Sequence, residues 1–67
     1  MKAFEKKYGI DPEFAAEYVT LGSDSNSLEE AIVAINADQD LRESVRVRFN
    51  VSDHNVALND IKEALSQ

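Results

Sequence analysis

Cysteine does not occur in this chain, which removes disulfides, thiolate metal sites and cysteine nucleophiles together. Tryptophan is also missing, and two glycines with one proline leave few points where a regular element must break. No apolar run approaches the roughly 20 residues needed to span a bilayer, and Met1 to Glu5 lacks the pattern of a secretory signal. A cytoplasmic location is therefore expected, and the Asn50-Val51-Ser52 sequon carries no information there. Basic residues are scarce: 7 Lys and Arg stand against 13 Asp and Glu, a net charge of -6. That balance argues against nonspecific attraction to nucleic acid or anionic lipid, because cationic side chains supply most of such affinity. The 67 residues make a single domain, 1–67, and a chain of this size buries only about 60% of its unfolded surface. Regular helix packing or a partner must supply the remaining stability.

The charge is unevenly placed. Residues 23 to 40 carry five acids (Asp24, Glu29, Glu30, Asp38 and Asp40) and no base, whereas residues 41 to 67 balance four acids with Arg42, Arg46, Arg48 and Lys62. A solvated face is the ordinary meaning of such an acidic run; a protein-binding surface is the functional one.

What is present reads as helix. Lys2 to Tyr8 places Phe4 and Tyr8 on one face, with Gly9 free to take the left-handed conformation that ends a helix. Asp11-Pro12-Glu13 combines a cap, a first-position proline and an acid in the positive first turn, and Phe14, Tyr18 and Leu21 follow as an apolar stripe up to Gly22. Ser27-Leu28-Glu29-Glu30 matches a capping box, predicting a third helix from Leu28 to about Ala37 with Leu28, Ala31, Ile32 and Ile35 on its apolar face. Ser52 is a candidate cap for the last helix, whose apolar face is Val56, Leu58, Ile61, Ala64 and Leu65.

Residues 44 to 52 support two readings. Val45, Val47, Phe49 and Val51 alternate with polar residues as in a half-buried strand, yet Leu41, Val45 and Phe49 repeat every four residues behind the candidate caps Asp38 and Asp40. Agreement with the neighbouring elements favours the helix. The expected fold is all-α, a small bundle of four to five short helices, with an α+β fold carrying one strand at 44–51 as the alternative.

Catalytic chemistry is hard to place. The single His54 lies between Asp53 and Asn55 in what reads as a first helical turn, where a solvated or capping role is the plain expectation. Asn36, Asp38 and Asp40 begin a calcium-loop pattern that fails at Leu41, where the sharp turn needs Gly, and at Val47, where the bidentate Glu belongs. Gly9 and Gly22 are too far apart to cradle a phosphate. No enzymatic activity, metal or cofactor is expected.

Arg48-Phe49-Asn50-Val51-Ser52, followed by Val56, Asp60-Ile61 and Leu65, resembles the turn and recognition helix of helix-turn-helix transcription regulators over residues 42 to 65. The resemblance implies an inward-facing Val56 and DNA contacts from Arg42, Arg46, Arg48, His54, Asn55 and Lys62. Arg46 departs from the family's small residue at the helix contact, Asn59 is polar at a position the family keeps inward, and Asp53 repels phosphate. Were 45–51 a strand, it and the following helix would resemble a ribbon-helix-helix repressor without that family's second helix. Residues 2 to 36 resemble three-helix ubiquitin-associated domains through Tyr8-Gly9-Ile10, Tyr18-Val19, Ala31 and Ile35, with Tyr8 replacing the usual Met.

Two functions follow as expectations. The first is a non-enzymatic protein-binding regulator, adaptor or inhibitor that presents a helix face or its acidic middle to a larger protein; phage or mobile-element inhibitors that occupy a nucleic-acid-binding groove are one subtype. The second is a DNA-binding regulator using residues 42 to 65. Under either, Val47 or Leu58 left on an outer face would favour a homodimer.

Overall fold

The structure is a computed structural model that describes residues 3–67. It contains five α-helices and, among the described residues, no strand: α1 Ala3–Tyr8, α2 Pro12–Gly22, α3 Leu28–Ala37, α4 Gln39–Phe49 and α5 His54–Leu65. Lys2, expected to begin the first helix, lies outside the described residues. The all-α bundle is thus the observed fold, and none of its helices is long and apolar enough to cross a membrane.

Helices α2 to α5 each start where a side chain satisfies free amides. Asp11 accepts from the Glu13 amide at 2.8 Å, Ser27 from Glu30 at 3.2 Å, and Asp38 from Asp40 and Leu41 at 2.9 and 3.3 Å. In the capping box the Glu30 carboxylate returns to the amide of Asn26, one residue earlier than the usual partner. The last helix is capped by Asp53, which accepts from Asn55 at 2.9 Å, and not by Ser52.

The strand alternative for 44–51 is corrected by this geometry. The Asp38 cap starts α4, and Asn50 ends it at φ 56°, ψ 50°, a left-handed conformation that Asn tolerates, so residues 44–49 are continuous helix. Val45 and Phe49 go inward while Val47, between them, is 75% exposed.

The molecule measures 32 × 24 × 14 Å, and its thinness leaves room for one modest core. Phe4, Ala15, Val19, Ala31, Ile35, Val45, Phe49, Ala57, Leu58 and Ile61 fill it. Ala15, Ala31 and Ala57 are completely buried on α2, α3 and α5, where small side chains let α2 lie close to both neighbours. α3 packs on α4, α4 on α5, and α1 chiefly on α5. An aromatic chain crosses the bundle: Phe4 to Tyr8 at 4.7 Å, Tyr8 edge-on to Phe49 at 5.7 Å, and Phe49 edge-on to Tyr18 at 6.1 Å.

Two expected faces are corrected. In α2 the buried residues are Pro12, Ala15 and Val19, whereas Phe14, Tyr18 and Leu21, expected to be the core stripe, are 67%, 43% and 72% exposed. In α5 the buried residues are Ala57, Leu58 and Ile61; Val56 is 42% exposed, contrary to the inward position that the helix-turn-helix resemblance implies, and Leu65 is also exposed. Of the two residues considered for an outer face, Val47 is there and Leu58 is not.

The two glycines differ in what they do. Gly9 has φ +72°, so alanine there takes a conformation costing L residues about 1 kcal/mol. Gly22 is the last residue of α2, with nothing within 4 Å of an added Cβ, and the left-handed residue beyond that helix is Asp24, at φ 55°. Gly9→Ala is expected to destabilise by about 1 kcal/mol and Gly22→Ala to stabilise by roughly 0.5–1 kcal/mol. Urea unfolding midpoints shifted in opposite directions are the check.

Candidate functional site

The inversion of α2 defines the candidate site. Successive residues turn by about 100° around a helix, so Phe14, Tyr18 and Leu21 form a strip set roughly 110° around α2 from the buried Ala15 and Val19. Tyr18 is the member nearest α4: its ring meets Phe49, and the Arg48 guanidinium lies over it at 5.5 Å. Beyond it, Glu43, Ser44, Val47 and Arg48 of α4 complete a shallow groove with Tyr18. A second hollow continues it past Gly22, with Val19, Ile35 and Val45 contributing to its lining. The missing side chain of Gly22 helps keep this end open.

Acids border the strip. Glu13 and Glu17 share a hollow with Phe14 and Asp11 on the side of α2 away from α4, and Glu43 stands on the far side of the groove. Among the described residues no cation makes an ion pair with Glu13, Glu17 or Glu43.

The five acids singled out in the sequence are not brought together. Asp24, Glu29 and Glu30 lie at the amino-terminal end of α3, and Asp38 and Asp40 beyond its other end, separated by a ten-residue helix about 15 Å long. Glu30 and Asp38 are engaged as caps, and Asp24 sits in a left-handed turn.

The basic set is divided as well. Arg42 Nη1 donates to the Asn36 carbonyl at 2.6 Å, on the α3 side of α4, while Arg48 leans toward α2. Arg46 is half-buried; Asn55 and Lys62 are exposed on α5. His54 lies 2.8 Å from Asn36 Oδ1 through Nε2. Because Asn36 Nδ2 already donates to the Ile32 carbonyl at 2.9 Å, its Oδ1 is the acceptor and Nε2–H the donor. Asn36 is thereby a junction of α3, α4 and α5, a role that its place in the broken calcium pattern does not suggest. Among the described residues, no group of three or more His, Asp or Glu side chains is arranged to hold a metal ion.

One further polar cluster ties α1 to α5. Asp60 Oδ2 accepts from Lys7 Nζ at 2.8 Å and from the Tyr8 hydroxyl. The Asp60 hydrogen bond holds the Lys7 ammonium above its ordinary value, and partial burial followed by the same carboxylate raises Tyr8. Partial burial pushes Asp60 up, but the hydrogen bonds from Lys7 and Tyr8 and the Lys7 charge outweigh it, leaving its pKa lowered. The linkage has two sides. Asp60's contribution is complete above 3.8 and is lost as pH falls through its lower folded value; those of Lys7 and Tyr8 are complete below 10.5 and 10.0 and are lost as pH rises through their raised values. Tyr8→Phe is expected to cost about 1 kcal/mol, low for a hydrogen bond to a charged group because the site is open to water. It should also flatten the alkaline decline of stability, which thermal melts across pH 8–12 would measure.

No family model, no curated protein and no solved structure significantly matches this chain.

Proposed function

We propose that this chain is a small non-enzymatic protein-binding regulator, adaptor or inhibitor that docks through the outward face of α2 and the adjoining edge of α4. The observation carrying this reading is that α2 turns its small residues inward and leaves Phe14, Tyr18 and Leu21 outward, with Tyr18 sharing a groove with the exposed Val47 of α4. Single exposed apolar residues are ordinary on a protein surface, but a contiguous strip with a polar border is the form of a partner site. The dispersed acids Asp24, Glu29, Glu30, Asp38 and Asp40 support it less, since two of them serve as caps. The DNA-binding alternative has weaker support: Arg42, Arg48 and His54 are engaged within the chain and lie on different sides of α4 and α5.

The test is affinity purification from the source cells with the tagged wild-type chain and with Leu21→Lys. A protein retained by the first and lost by the second supports the reading. A partner retained equally by both, or salt-sensitive duplex DNA binding that depends on Arg46 and Lys62, overturns it.

A further inference from the structure

We infer that the occupant of this face is a cationic amphipathic helix, apolar along one stripe and bearing Lys or Arg on both flanks; the inference rests on the docking reading above. The layout across the face points to it. Moving around α2 toward α4, the order is Glu13 and Glu17, then Leu21, Phe14 and Tyr18, then the groove at Gly22, then Val47 and Glu43 of α4. An apolar strip is therefore bracketed by carboxylates on both sides. A helix lying in a groove presents the matching pattern, with apolar residues at i, i+3, i+4 and i+7 and its flanks set by charge.

The same layout argues against other occupants. A second copy carries the same net charge of -6 and the same acidic borders, so pairing two such faces sets like charges against each other. Anionic lipid and nucleic-acid phosphate meet the same repulsion. Arg48, the cation beside the strip, is stacked over the Tyr18 and Phe49 rings, and no ion pair links it to the border carboxylates. Those carboxylates are left for a partner's cations. Gly22 adds an independent sign: the fold has no steric need for glycine there, while an apolar side chain seated between Tyr18 and Ser44 uses the space its missing Cβ leaves.

The experiment is a chemical-shift titration of the full isotope-labelled chain with two helix-forming peptides of about 18 residues, five turns long. One carries Leu on a single stripe with Lys on the flanks, and the other has Glu in place of every Lys. The Lys peptide is expected to shift amides in 14–22 and 43–48, and the Glu peptide to leave them unmoved. Combining Glu13→Gln, Glu17→Gln and Glu43→Gln should weaken the Lys peptide about tenfold, the sum of three screened surface pairs. Glu29→Gln with Asp40→Asn, which removes as much charge outside the strip as any two of those changes, should alter it less than about twofold.

Equal weakening by both sets of changes, shifts confined to the ends of α3, or equal binding of both peptides would overturn the inference. Shifts of the same amides on concentrating the chain alone would overturn it in favour of a second copy. No binding of either peptide would overturn it while leaving the docking reading to the purified partner, whose loss on Leu21→Lys is scored separately.

Discussion

Phe49→Ala is expected to unfold a large share of the molecules at room temperature. The Phe49 ring is buried at the centre of the aromatic chain, with Tyr8 on one edge and Tyr18 on another, and it closes the core where α1, α2 and α4 meet. Removing a buried phenyl ring costs about 3–5 kcal/mol, through lost transfer energy and the cavity left behind. A domain of this length has only roughly 3–10 kcal/mol in total, at 0.05–0.15 kcal/mol per residue. Val45→Ala should also be costly, at about 1–3 kcal/mol, whereas Val47→Ala, on the outer side of the same helix, should change stability by less than about 0.5 kcal/mol. Urea unfolding of the three variants checks the series. Similar losses at 45 and 47 would be the signature of a half-buried strand and would contradict α4.

Leu21→Lys has the opposite profile, and its expected effect on partner binding is the largest of any surface change. Leu21 makes no contribution to the core, so its loss costs little, and a lysine in the last turn of α2, which has no basic residue there, is favourable toward the helix dipole. Stability should stay within about 0.5 kcal/mol of wild type. Affinity for the partner should fall about thirtyfold or more, as expected when a lysine replaces an apolar contact worth at least about 2 kcal/mol. Phe14→Ala, toward the other end of the strip, should weaken binding in the same direction. Titration calorimetry with the purified partner, beside thermal melts of the same samples, measures both quantities. A variant that binds normally would remove the strip from the interface.

Why the sequence discloses some of this and hides the rest has physical causes. Helix positions were legible because capping is local: Asp11, Ser27, Asp38 and Asn50 act within three residues of themselves. At 44–51 the helix is legible from the Asp38 cap, the Leu41, Val45 and Phe49 repeat and agreement with the neighbouring elements. The orientation of α2 was not legible, because it has two apolar faces and spacing alone does not rank them. The bulky face looked like the core, but α3 and α5 approach so closely that only Pro12, Ala15 and Val19 fit between. One clue was available: Glu17 shares a face with Leu21 at i, i+4, which marks that side as solvent-facing. In α5 the cap is Asp53, one residue past the expected Ser52, and the expected face is right at Leu58 and Ile61 but wrong at Val56, whose place is taken by Ala57.

The candidate site followed the same division. The acids of residues 23–40 were conspicuous as a run, yet α3 separates them and the backbone uses two as caps. Glu13, Glu17 and Glu43 do not stand out as a set in the sequence, because they are scattered along the chain and only the packing of α2 beside α4 places them around one apolar strip.

We propose that this protein meets its partner through the outward face of α2 and the edge of α4. Hydrogen–deuterium exchange of the chain, free and saturated with the purified partner, tests it most directly. Slowed exchange is expected in residues 14–22 and 43–48, with Asp38 to Asp40 at the start of α4 and the exposed side of α5 unchanged. Protection at Asp38 to Arg42 or along His54 to Lys62, with α2 exchanging as in the free chain, would contradict it.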